Sequence, residues 1–170
     1  LRPGSASSAL FGLIAAVGGL FFFAANDGSS GEELYRSDGT LAGTVRVSDQ
    51  IAGAGSSSPR RLLGYTRTGF SGVVYIAQTD PNSSLGALMR SDGSAAGTFA
   101  LGLRASVDTP LHATPGSNSR VLLASAGAVD SADVELHRSD ASVAGSTRLA
   151  DLASLQSSSS PSRIITAQDR

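Results

Sequence analysis

Few side chains in this sequence are of types that do chemistry. There are two histidines, His112 and His137, and no cysteine. Thiolate nucleophiles, thiolate metal sites and disulfides are therefore excluded. No His-x-x-x-His, Gly-x-Ser-x-Gly or phosphate-loop pattern occurs. Serine is abundant, but a serine without an oriented base is not a nucleophile. The acidic residues gather at turns: Asn26-Asp27-Gly28, Asp38-Gly39, Asp80, Asp130 and Asp133. Such turns could collect into a calcium site, because calcium takes about six to eight oxygen ligands. No run has the EF-hand spacing, so turn chemistry is the better reading. The expectation is no catalytic residue and no cofactor, with calcium the one ion left open.

The residues that recur are more informative. Residues 34–44 read LYRSDGTLAGT, residues 88–98 read LMRSDGSAAGT, and residues 136–146 read LHRSDASVAGS. Arg36, Arg90 and Arg138 mark one position, 54 and then 48 residues apart. A period near fifty is that of propeller blades. Asp38 and Asp92 are placed to accept hydrogen bonds from backbone N–H groups two residues on, as in an Asx-turn. Gly39 and Gly93 supply positive φ where the chain reverses. Thr40 and Ser94 add a side-chain-to-backbone bond. In the third copy Asp140 keeps its place, but Ala141 replaces the glycine. That predicts a different turn geometry or local strain. Each recurring Arg is expected to pair with a turn Asp of its own or an adjacent unit. His137 shares a slot with Tyr35 and Met89, which favours packing over chemistry, and His112 reads as a surface or loop residue.

The elements around these turns also repeat. An apolar run precedes each motif, LFFFAA at 20–25, VVYIAQ at 73–78 and VLLASA at 121–126, and a short alternating run follows each. Four strands per unit are predicted. They lie near 9–17, 20–26, 32–37 and 43–49; near 61–66, 72–78, 86–91 and 97–103; and near 109–114, 120–126, 134–139 and 145–151. Residues 162–168 resemble the first strand of a fourth unit. The predicted fold is all-β: a propeller-like array of about three four-stranded antiparallel blades plus one extra strand, incomplete as a ring. The units run approximately 9–55, 56–104 and 105–156, with a partial fourth at 157–170, all within one repeat domain, 1–170.

The segment ALFGLIAAVGGLFFFAA at 9–25 has no charged or polar side chain. A membrane helix needs about 20 mostly apolar residues, and a secretory core needs a basic flank that LRPGSASS barely supplies. In register with RRLLGYTRTGFSGVVYIAQ at 60–78, the same segment becomes two strands joined at Gly18-Gly19, a hairpin signal. The hairpin is favoured, with membrane anchor and signal segment as alternatives. A chain beginning with Leu reads as a processed product or a fragment.

LFFFAANDG at 20–28 followed by EELYRSDGTLAGT at 32–44 resembles a bacterial repeat family with the consensus Glu-Leu-Trp-x-x-Asp-Gly-Thr, then Ala-Ala-Gly-Thr. Tyr35 stands where the family has Trp. The resemblance extends over nearly the whole chain. It implies a β-propeller-like array on large secreted or surface proteins, and it brings no catalytic residues. The turn is also similar to the Asp-box hairpin of sialidase-type propellers, where the Asp is a structural staple.

Thirteen arginines and no lysine stand against 14 acidic residues, a formal charge of −1. This gives no global attraction to nucleic acid, and the Arg-, Ala- and Gly-rich composition suits a bacterial source. Three units fall short of the usual propeller, and open edges and uncapped ends invite docking. The expected function is a non-enzymatic extracytoplasmic structural or interaction module, in periplasm, cell surface or medium. Its partner would be a protein, the rest of a longer chain, or a second copy. The alternatives are an accessory subunit of a bacterial membrane complex anchored by 9–25, and a fragment of a carbohydrate-active propeller enzyme. The latter needs Arg, Glu and Tyr converging on one pocket.

Overall fold

The computed structural model describes residues 14–80, 82–114, 116, 118–127 and 134–151. They form twelve strands and no helix. The first four are β1 (Ile14–Val17), β2 (Leu20–Asn26), β3 (Glu32–Ser37) and β4 (Val45–Arg46). The next four are β5 (Pro59–Arg67), β6 (Phe70–Ala77), β7 (Leu85–Ser91) and β8 (Phe99–Ser106). The last four are β9 (His112–Ala113), β10 (Val121–Gly127), β11 (Val134–Ser139) and β12 (Thr147–Ala150). Several are shorter than their patterns suggest, β4 and β9 most of all. Residues 9–13 of the first expected strand, and the expected strand at 162–168, lie outside the described residues.

The apolar segment at the start is a hairpin over its described part. β1 and β2 pair antiparallel from Ile14↔Phe23 to Val17↔Leu20. Gly18 and Gly19 close the turn at φ +59° and +78°. Both values are left-handed, as a two-residue hairpin loop of this type requires. No helix among the described residues is long and apolar enough to cross a membrane.

Consecutive strands pair antiparallel within each group of four, and the register around the recurring Arg is the same each time. Phe22 faces Arg36, Val74 faces Arg90, and Leu122 faces Arg138. The groups are not three separate sheets, however. β1 to β4 form one four-stranded sheet, while the other eight strands join through β8 and β10. The cause lies in β9. Its segment carries Pro110, which donates no backbone N–H, and it pairs with β10 only at Val121 and Leu122. The far end of the same β10 edge is left open, and β8 takes it at Ala126 and Gly127.

The core lies between the groups. Phe22 and Leu34 of the first pack with Val73, Tyr75 and Met89 of the second. Phe70, Val74, Ile76 and Leu88 of the second pack with Val121, Leu123 and Ala141 of the third. Residues alternate faces along a strand, so β6 buries one face toward each neighbour. That is why Val73–Ala77 reads as an unbroken apolar run, as in sheets covered on both sides. At about 1.5–3 kcal/mol for each large side chain buried, these two layers are the main favourable contribution to folding. In β10 the pattern differs: Val121 and Leu123 are buried and Leu122 and Ala124 only half-buried.

Candidate functional site

Each of the three recurring motifs folds into the same turn, held by the same bonds. In the first, Ser37 Oγ accepts from the Gly39 N–H at 3.0 Å and bonds Thr44 Oγ1 at 2.7 Å. Asp38 Oδ1 accepts from the Thr40 N–H at 2.9 Å and from its hydroxyl at 2.7 Å. Thr40 Oγ1 accepts from the Gly43 N–H at 2.9 Å, and the Thr44 hydroxyl donates to the Thr40 carbonyl at 2.6 Å. The second turn repeats these bonds with Ser91, Asp92, Ser94, Gly97 and Thr98, and the third with Ser139, Asp140, Ser142, Gly145 and Ser146. The Ser, Asp and Thr side chains of each motif thus bond within their own turn.

Two glycine positions matter for different reasons. Gly39 and Gly93 both sit at φ +91°, and Ala141 takes their place at φ +62°. Of the two outcomes expected at Ala141, the turn geometry is kept and the residue takes the strain. The bonds are retained and the residue is left-handed, which costs about 1–2 kcal/mol for a residue with a Cβ. Its methyl is buried in the core cluster that also contains Phe70 and Val74, which returns roughly 0.8 kcal/mol. The later glycine, at 43, 97 and 145, has an ordinary φ. A Cβ there would overlap the carboxylate of Asp38, Asp92 or Asp140. It is glycine because the Asp side chain occupies that space.

The carboxylates respond to these bonds. The Asp38 carboxyl is held below its ordinary range, first by the Thr40 hydroxyl and then by the Thr40 N–H. Burial pushes Asp92 and Asp140 up, but the hydroxyl and N–H of Ser94 or Ser142 outweigh it, and both are lowered. Arg67 contributes at Asp140, with Nη1 2.6 Å from Oδ2. Asp27 makes a related turn, accepting from Ser29 and Ser30 backbone and hydroxyl groups. Among the described residues no three His, Asp or Glu side chains are grouped to hold a metal ion.

The arginines do not behave as simple partners of the turn carboxylates. Arg90 stands 3.6 Å from Asp92 of its own turn. Its stronger contacts are elsewhere. Nη1 donates to the Ala141 carbonyl of the third turn at 3.1 Å, and the guanidinium lies over Phe70 and Phe99, 4.1 and 4.8 Å from their ring centres. Arg36 lies beside Gly93 of the second turn, where an added Cβ would come 2.9 Å from its Cδ. Arg138 is exposed and its Nε donates only to Thr147 Oγ1 at 3.4 Å. The Arg of one group therefore reaches the turn of the next group. The third Arg has no such turn beside it among the described residues.

Other polar groups fasten linkers. Glu33 is fully buried and accepts from the Ser57 N–H and hydroxyl at 2.9 and 2.6 Å. Burial pushes its carboxyl up, with Ser57 working against the shift. Glu32 pairs with Arg60 at 2.6 Å. Burial raises the Tyr35 hydroxyl to about 12, assisted by Asp27. Its ring stacks on Phe23 with centroids 6.0 Å apart. His137 is buried, with Nδ1 3.1 Å from the Glu135 carbonyl oxygen. A cleft of about 300 Å³ lined by Ile51, Gly55, Ser56, Ser58, Gln78 and Thr79 holds no titratable side chain.

Sequence reasoning named the Asp, Gly and Thr or Ser of the first two turns, and Asp140 but not Ser142 of the third. It passed over Ser37, Ser91 and Ser139 and the closing Thr44, Thr98 and Ser146, although all six sit at recurring positions. Arg67 carried no such signal, since Val17 occupies the end of the corresponding strand. Comparison with protein-family models, with curated proteins and with solved structures finds no match.

Proposed function

We propose that this chain is a non-enzymatic structural and interaction module of the extracytoplasmic space of a bacterium, a propeller-like array that docks on protein. The observation that carries the reading is the use made of the recurring polar groups. Ser, Asp and Thr close each turn on itself, and Arg36 and Arg90 lean on the turn of the following group. The motif is a staple that joins one unit to the next, as the resemblance to the Glu-Leu-Trp-x-x-Asp-Gly-Thr repeats implies. That resemblance supports the extracytoplasmic placement, and the cysteine-free composition is compatible with it. The alternative of a carbohydrate-active enzyme draws no support from the acidic residues. Glu33 fastens Ser57 and Glu32 pairs with Arg60, away from Arg36 and Arg90.

Two assays test this. The chain has no lysine, so it is cross-linked through its carboxylates to amines of envelope proteins. Cross-links from Asp38 of the exposed first turn are the expected result. In parallel the purified chain is offered chromogenic glycosides. Turnover that Glu33→Gln abolishes while the fold survives would replace this reading with the enzymatic one.

A further inference from the structure

The contact between neighbouring groups occurs twice in this chain, and the first and third groups each present half of a further one. In the first contact, Gly93 of the second turn sits against Arg36, Phe22 and Leu20. In the second, Ala141 of the third turn is buried in the core cluster of Phe70 and Val74, and its carbonyl takes a hydrogen bond from Arg90. The receiving face is the same in both cases: the Arg and the apolar residues that share its side of the sheet.

The unmatched halves are visible in the exposures. On the first group, Phe21 is 47% exposed, whereas Val73 and Val121 at the same register are both 0%. Ile14 beside it is 62% exposed, and Gly39 is exposed where Gly93 and Ala141 are buried. On the third group, Arg138 is exposed and Leu122, Ala124 and Leu136 are half-buried. Their counterparts Phe22, Ala24 and Leu34, and Val74, Ile76 and Leu88, are buried. Leu41 does not belong to this argument. Ala95 and Val143 hold its place in the other turns and are exposed as well.

We infer that a second copy of this chain supplies the missing contact. The Phe21 side and first turn of one copy dock on the Arg138 face of another, head to tail. The inference rests on the docking reading above and names the partner. The occupant follows from continuity with an interface that already exists twice inside the chain. Two copies would bring six units, within the usual range of propeller blades. A head-to-tail contact either closes in this way or continues as a longer chain of copies.

The test is the solution mass of the 170-residue chain and two exposed-site variants, Phe21→Glu and Arg138→Glu, by sedimentation without detergent. Wild type is expected at twice the 17.1 kDa chain mass or a higher multiple. Each variant alone is expected at one chain mass with a native circular dichroism spectrum. Mixed, they are expected to pair, because one retains a sound head and the other a sound tail. A symmetric dimer through either surface would not be restored by mixing. Phe21→Ser and Arg138→Ala replace any variant that fails to fold. Wild type at one chain mass up to about 100 μM, or a mixture that stays unpaired, overturns the proposal. Cross-links to other envelope proteins would then leave the docking reading standing with a different partner, and glycoside turnover would remove both.

Discussion

In the first turn Asp38, Gly39 and Thr40 all face solvent, whereas in the third Ser139 and Ala141 are buried and Asp140 is half-buried. The internal hydrogen bonds are the same in the two turns. What differs is the neighbour. The third turn places Ala141 in the core cluster of Phe70 and Val74, receives Arg90 at its backbone, and receives Arg67 at its carboxylate. No ion pair is made by Asp38 among the described residues. One local motif therefore serves two ends: it reverses the chain everywhere, and it joins units only where a receiving face exists. The six-bond pattern is a property of the turn; its contribution to stability is a property of the surroundings.

The glycine that faces the carboxylate is where this contrast should be greatest. Gly97→Ala forces the Asp92 side chain out of its place in a turn whose Ser91 and Gly93 are buried. A loss of about 2–4 kcal/mol is expected, from overpacking together with broken bonds. Gly43→Ala makes the same overlap in the exposed turn, where Asp38 has room to swing into water, and should cost about 1 kcal/mol less or better. Urea unfolding of both variants checks this. Equal losses would mean that the neighbouring group contributes nothing to the turn.

Serine truncation sharpens the same comparison at smaller amplitude. Ser91→Ala strands the buried Gly93 N–H and removes the bond to Thr98. Leaving a buried donor unpaired costs about 1–3 kcal/mol. Ser37→Ala exposes its N–H to water and should cost about 0.5 kcal/mol. Differential scanning calorimetry of the pair reads the difference directly.

Acid gives the smallest and most specific effect. Asp38, Asp92 and Asp140 bind their protons less tightly folded than unfolded. Their stabilising effect is complete above the ordinary Asp value of about 3.9 and is lost as pH falls through the lowered native values. Glu33 acts in the opposite sense, because burial raises its pKa. Its ionisation weakens the fold as pH rises from the ordinary Glu range through the native value. The unfolding midpoint should therefore fall most steeply below about pH 4. Asp140→Asn, which also loses the Arg67 pair, should flatten that fall more than Asp38→Asn. Equal flattening would mean that Arg67 adds nothing.

Several parts of this architecture were legible in the chain. The strands around the turns announce themselves by apolar runs set between Gly, Asp and Ser, and Gly18-Gly19 marks a hairpin inside a segment whose hydropathy alone suggests a membrane span. The Asx bond of Asp38 and the left-handed Gly39 follow from residue type, because both are local and involve atoms two residues apart. The role of Gly97 was less legible. Its constraint is a side chain folding back across the turn, and spacing alone reads the glycine only as a strand start.

What recurrence in the sequence determined by itself is the set of local units: which residues reverse the chain, which strands pair, and where each Arg stands against its cross-strand neighbour. Those outcomes depend on short-range sterics and hydrogen bonds, which a few adjacent residues fix. Only the tertiary structure decided that Arg90 reaches Ala141 rather than relying on its own Asp92, and that Arg67 joins Asp140. It also decided that β8 takes the free end of the β10 edge and so fuses two groups into one sheet. These contacts join residues about twenty to seventy positions apart. They depend on which faces are brought together when apolar surfaces leave water, and that is a property of the packed whole.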